Sequence, residues 1–313
     1  MQTAVQTILG DCLAVQAGEK VLVVSDPKRR AIAEALVDQA RFMGAETVFA
    51  EMSERETNGT EPPDIIAAAM LECDVCVVPT TKSLSHTQAR SAASEKGVRV
   101  ATMPQVTEDM LIRTMSADYA AVRKRSAALA KLLTGGNEVH AASKAGTDVT
   151  FLIDGRSGLS DDGDLRARGA FGNLPAGEGF VAPVENSTRG TIVFDGSIWP
   201  IGTLAEPLVV EIEDGFATTM SGPAAAEFRA IIEPYGRDAF AVAELGIGTN
   251  ECARLTGNVL EDEKILGTIH VAFGDNHSFG GIIRVPSHQD GIVLSPTVRI
   301  DGTTILEDGR LLV

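Results

Sequence analysis

Lys20-Val21-Leu22-Val23-Val24-Ser25-Asp26-Pro27 decides the fold. Its apolar residues are consecutive and mostly β-branched, as in a strand buried on both faces of a parallel sheet. Asp26-Pro27 then opens a helix with Pro in its first turn. The helix carries an apolar face of Ile32, Leu36, Ala40 and Met43, and Gly44 ends it. Working outward, the pattern predicts strands at 47–50, 74–79 and 98–102. Helices are expected from Pro62-Pro63-Asp64 and over about 87–96. Strand and helix alternate four times, which argues for an open parallel sheet with helices on both faces. Residues 107–133 read as helical throughout, and Gly135-Gly136-Asn137 closes the segment. The expected division is therefore an α/β, flavodoxin- or Rossmann-like domain over 1–136 and a second domain over 137–313. No Gly-x-Gly-x-x-Gly follows the first strand, so a dinucleotide cofactor is not expected.

Beyond residue 138 the texture changes to short strands such as 149–154 and 191–194, with Asp-Gly at 195–196, 214–215, 301–302 and 308–309. Asp-Gly tolerates the positive φ angles of tight hairpins. A β-rich, antiparallel α+β domain is predicted, with one helix at about 223–233 that Pro234 ends.

A net charge of −16 repels phosphate backbones and anionic lipid, so neither nucleic acid nor a membrane surface is an expected partner. No apolar run approaches the roughly 20 residues of a bilayer span. Met1-Gln2-Thr3-Ala4-Val5-Gln6 lacks the features of a signal peptide. Four cysteines are too scattered for a disulfide framework, and Cys73 and Cys76 read as buried structural residues on a strand. A cytoplasmic protein is expected.

The chemistry concentrates in the second half. Val285-Pro286-Ser287-His288-Gln289-Asp290-Gly291 reads as a loop entering a strand. Residues i and i+2 share one side of a strand, so His288 and Asp290 can close on one cation. Upstream, Glu178 sits in the Pro/Gly-rich stretch 172–180, read as an irregular loop. Glu244 ends an apolar strand before a glycine-rich turn, with no Lys or Arg following it until Arg254. A buried carboxylate needs a partner, and a metal ion is a candidate. His270 interrupts an apolar strand, and His277 follows a turn. Imidazole and carboxylate together suit zinc, manganese, cobalt or ferrous iron. In the first half, His86 lies past the C-terminal end of a parallel strand, at a helix N-terminus, where open α/β sheets bind ligands.

Three stretches, Ser83-x-x-His86-Thr87-x-Ala89-Arg90, Asn173-Leu174-Pro175-x-Gly177-Glu178 and His288-x-Asp290-Gly291, resemble the aminopeptidase T family of metallopeptidases. The resemblance implies an α/β domain before a β-rich metal domain, and two catalytic metals (zinc, cobalt or manganese). Glu178, Glu244, His270, His288 and Asp290 would be the ligands, with His277, His86 and Glu178 as candidate catalytic groups. It also implies a homo-oligomer acting on a peptide or other small substrate. Where that family has a catalytic Tyr, seven residues after the first His, this chain has His277, and it is shorter than those peptidases. The short branch of 2,5-dihydroxypyridine ring-cleaving dioxygenases is similar as well. It implies one ferrous ion held by Glu244, His288 and Asp290. A metal-dependent aminopeptidase is the leading expectation, with the mononuclear iron dioxygenase as the alternative.

Overall fold

A computed structural model describes residues 1–313. The chain forms two compact units. One comprises Met1–Tyr119 and Gly163–Ala176, the other Ala120–Asp162 and Gly177–Val313. A single cut at 136 therefore does not describe the division. The helix Tyr119–Gly135 belongs almost wholly to the second unit, and residues 163–176 return to the first.

The first unit is built on a five-stranded parallel sheet. Its order is Glu46–Glu51, Lys20–Ser25, Val75–Thr80, Arg99–Pro104 and Phe171–Asn173. Every residue of Val75–Thr80 is buried, as its apolar run requires. Asp26 caps a 3₁₀ turn, Pro27–Arg29, that leads into the helix Arg30–Phe42. Its carboxylate also accepts from the backbone N–H of Thr81 at 2.5 Å. The fifth strand is the element that the loop reading of 172–180 did not anticipate.

The helix expected over 107–133 is two, Glu108–Thr114 and Tyr119–Gly135. The Ser116 hydroxyl and backbone N–H both donate to the Arg113 carbonyl, closing the first helix there.

The second unit holds two antiparallel sheets of eight and seven strands. Of the Asp-Gly pairs at 195–196, 214–215, 301–302 and 308–309, three make the predicted hairpins, with both residues at positive φ: Asp214-Gly215, Asp301-Gly302 and Asp308-Gly309. Asp195-Gly196 does not. The Asp195 side chain instead accepts from the backbone N–H of Leu294 at 2.7 Å, and Gly196 packs on Ile292. The expected helix is Ala225–Ile232, followed by a 3₁₀ turn containing Pro234.

Phe194 from the larger sheet and Phe273 from the smaller meet edge-on at 6.1 Å, and Phe228 of that helix lies 6.1 Å from Phe273. This apolar layer backs the strands that carry the candidate site. No helix is long and apolar enough to cross a membrane. Phe273→Ala removes the shared ring of that layer and is expected to cost about 3–5 kcal/mol of stability, read by denaturant unfolding.

Candidate metal centre

Four neighbouring strands of the seven-stranded sheet carry the predicted ligands. They are Glu178–Val181, Val242–Gly248, Ile269–Gly274 and His288–Val293, adjacent in that order. Glu178 opens its strand rather than sitting in a loop, and Glu244 lies within its strand rather than at the end. Cross-strand pairing sets which residues share a face. Glu178 is opposite Gly248, and His270 opposite Gly246. Glu244 and Asp290 are both opposite Ala272, and His288 is opposite Gly274. Directly opposed residues project to the same side, so all five side chains stand on one face.

Small residues make room for them. A Cβ at Gly246 would come within 2.1 Å of the His270 ring, so the imidazole lies across that strand because no side chain is there. The "glycine-rich turn" after Glu244 is thus strand whose glycines are spaces for His270 and for the Ile265 backbone. Gly179 lets the helix Tyr119–Gly135 approach, since a Cβ there would meet Leu129 at 2.6 Å.

The donors fall into two groups with ligand atoms within 4.8 Å of one another: Glu244, His288 and Asp290, and Glu178, Glu263 and His270. In the first group, His288 Nε2 is 3.4 Å from Glu244 Oε2 and 3.5 Å from Asp290 Oδ1. Oxygen and nitrogen donors in cis positions around one cation, at bonds of about 2.1 Å, stand about 3 Å apart. The group fits a divalent ion. His288 is also oriented for it. Its Nδ1 lies 2.8 Å from the Asp275 carbonyl, an acceptor only, so Nδ1 carries the proton and Nε2 faces the two carboxylates.

The second group is different. Lys264 is buried there, with Nζ 2.6 Å from Glu178 Oε1, 2.8 Å from Glu263 Oε1 and 3.0 Å from Asp161 Oδ2. Asp161 pairs directly with Glu178 across the strands, a like-charge opposition that the ammonium offsets. His270 joins the groups. Its Nε2 lies 3.3 Å from Glu244 Oε1 and 3.1 Å from Glu178 Oε2. The second approach is close but not aligned as a hydrogen bond, and Glu178 Oε2 has no hydrogen-bond partner.

Charge is coupled across the face. Burial alone lifts the Glu244 carboxyl, but His270 and His288 outweigh it and hold it down at about 2. Burial disfavours both charged imidazoles. The carboxylates Glu178 and Glu244 beside His270, and Asp290 and Glu244 beside His288, reverse this and raise both rings well above their ordinary range. Burial pushes Glu263 up to about 8 and Asp161 up to about 6, against the pull of Lys264.

The other two candidates, His277 and His86, are exposed side chains. His277 is exposed on the 3₁₀ turn His277–Phe279, its ring against Arg284. His86 is exposed in the first unit, between the strand Val75–Thr80 and the helix Gln88–Lys96 that Thr87 caps. Sequence reading missed Asp161, Glu263 and Lys264. Lys264 lies in the charged run Glu261-Asp262-Glu263-Lys264, which has the composition of a solvated surface.

The family model for NicX, 2,5-dihydroxypyridine 5,6-dioxygenase, matches residues 1–313. The chain belongs to that family. A relative in Pseudomonas putida KT2440, a 2,5-dihydroxypyridine 5,6-dioxygenase, is 25% identical over 250 residues, covering 75% of this chain and 71% of the relative. The solved structure of 2,5-dihydroxypyridine dioxygenase from the same organism superposes with a TM-score of 0.86 at 20% identity, over 100% of this chain and 96% of that one. Wild-type AmpT from Thermus thermophilus superposes with a TM-score of 0.76 at 17% identity, over 100% of this chain and 98% of that one. At such identities the structural likenesses speak for the fold. The fold is therefore aminopeptidase T-like, as expected, but the aminopeptidase reading is overturned by the family match over the whole chain. The protein is an enzyme of a dioxygenase family, with side chains grouped to bind metal.

A raised imidazole pKa means that the metal-free fold holds protons more tightly than the unfolded chain does. Its contribution to stability is full below about pH 6.5 and is lost as pH climbs through the raised value. A cation must displace those protons, so uptake runs the other way. Divalent-metal binding is expected to release protons and to tighten as pH rises, measured by titration calorimetry in buffers of different ionisation enthalpy.

Proposed function

We propose that this protein is a mononuclear Fe(II) dioxygenase that opens a hydroxylated pyridine ring of the 2,5-dihydroxypyridine type. What carries the reading is the convergence of Glu244, His288 and Asp290 in a chain matched over its full length by the dioxygenase family. Oxygen and imidazole donors suit ferrous iron, and Lys264 already holds Glu178 and Glu263. This favours one cation over two.

Glu244, His288 and Asp290 would hold the ion and, being only three donors, would leave it able to take substrate and oxygen. Iron bound there supplies the electronic coupling that lets an aromatic ring react with dioxygen. The chain supplies the rest. The hydrogen bond from His288 Nδ1 to Asp275 fixes the imidazole. Glu178 Oε2, buried and without a hydrogen-bond partner, is the acceptor available for a ring hydroxyl proton. Phe279 meets His288 edge-on at 5.9 Å and Phe180 at 5.7 Å. Phe180 shares a side of its strand with Glu178. The two rings make an apolar wall beside the donors, suited to a flat ring and to keeping water out.

After anaerobic loading with Fe(II), the protein is expected to consume oxygen with 2,5-dihydroxypyridine, and Glu244→Ala and Asp290→Ala to lose bound iron and oxygen uptake together. A loaded protein that binds one iron and takes up no oxygen with any dihydroxypyridine would sink the proposal. Phe279→Ala is expected to raise KM roughly threefold to tenfold, with iron content unchanged, in steady-state oxygen uptake.

A further inference from the structure

The buried ammonium of Lys264 stands where a second divalent ion would sit. The group Glu178, Glu263 and His270 has ligand atoms mutually within 4.8 Å, the donor set of a metal site. Lys264 Nζ contacts two of its members at 2.6 and 2.8 Å, and Asp161 at 3.0 Å. Only 1% of the lysine side chain is exposed. His270 bridges this group to the Glu244, His288 and Asp290 centre, 3.1 Å from Glu178 and 3.3 Å from Glu244. A second observation points to a cation beyond the lysine. Glu178 is 6% exposed, and its Oε2 has no hydrogen-bond partner although it faces the His270 ring.

We propose that Lys264 is a resident cation that closes a latent second metal site, so that removing its side chain converts a one-metal centre into a two-metal centre ligated by Glu178, Glu263 and His270. The inference rests on reading Glu244, His288 and Asp290 as the single centre of the native protein. The physical reason is charge replacement. Lys264 faces three carboxyl groups withdrawn from water, and without it those that are ionised lose their counter-charge, which is costly. A divalent ion restores the balance and supplies a partner for Glu178 Oε2. It also accepts the His270 Nε2 lone pair, for which the ammonium has no N–H left, its three facing Glu178, Glu263 and Asp161. Asp161, opposite Glu178 across the strands, adds a fourth donor of the right kind for zinc.

The test uses the full chain, stripped with chelator and reloaded with Zn²⁺, so that neither iron nor oxygen enters the readout. The native protein is expected to hold about one zinc ion per chain and Lys264→Ala about two, by elemental analysis after removal of free metal. Lys264→Ala/Glu178→Gln is expected to return to about one. The unfolding midpoint of Lys264→Ala in zinc over chelator is expected to rise more than that of the native chain. If Lys264→Ala does not fold, Lys264→Gln is measured in the same way. A folded variant with one zinc and no added response to zinc overturns the inference, as does a native protein that already holds two. Failure of both variants to fold in excess zinc also overturns it, because zinc then does not replace the ammonium. A native chain that binds no zinc at all instead sinks the reading of the Glu244, His288 and Asp290 centre, so the two failures are distinguishable.

Discussion

Negative charge taken out of water on one sheet face is the constraint around which the second unit is arranged. Glu178, Glu244 and Asp290 are buried there, with Glu263 and Asp161 close by. An isolated buried carboxylate is too costly to keep ionised. The face meets that cost in two ways. Lys264 gathers Glu178, Glu263 and Asp161 with an ammonium supplied by the chain. Glu244 and Asp290 are gathered around His288, where an external cation fits. The two arrangements share one face, and His270 lies between them, 3.1 Å from Glu178 and 3.3 Å from Glu244.

Geometry is made by what is missing as much as by what is present. Ala272, opposite both Glu244 and Asp290, is small enough to leave the space between them open. Gly246 leaves room for the His270 ring, and Gly179 for the helix behind Glu178. Phe279 stands edge-on to both Phe180 and His288, so an aromatic pair lies beside the donors.

Much of this was legible in the amino-acid order, for identifiable reasons. The parallel sheet announced itself through consecutive apolar strands such as Val75–Thr80, where burial on both faces leaves no other composition. His288-x-Asp290 was legible because i and i+2 share a side whatever the tertiary context. Glu244 was recognised as needing a partner, but searching its near neighbours for a cation could not find Lys264, which reaches Glu178 from a turn far along the chain. Phe171–Asn173 was hidden because three residues carry too little pattern, and its place beside Arg99–Pro104 comes from long-range pairing. His277, which the resemblance puts where the peptidases carry a catalytic Tyr, lies exposed on a 3₁₀ turn with its ring against Arg284. The choice between peptidase and dioxygenase was not legible, because the three ligands of the iron reading are a subset of the five of the two-metal reading, and the family match over the whole chain is what separates them.

The three donors Glu244, His288 and Asp290 come from two strands, Val242–Gly248 and His288–Val293, which lie on either side of Ile269–Gly274 in the seven-stranded sheet. They come together only when Ile269–Gly274 has paired with both neighbours, so the chelate depends on sheet assembly, and the hydrogen bond from His288 Nδ1 to the Asp275 carbonyl then sets the imidazole.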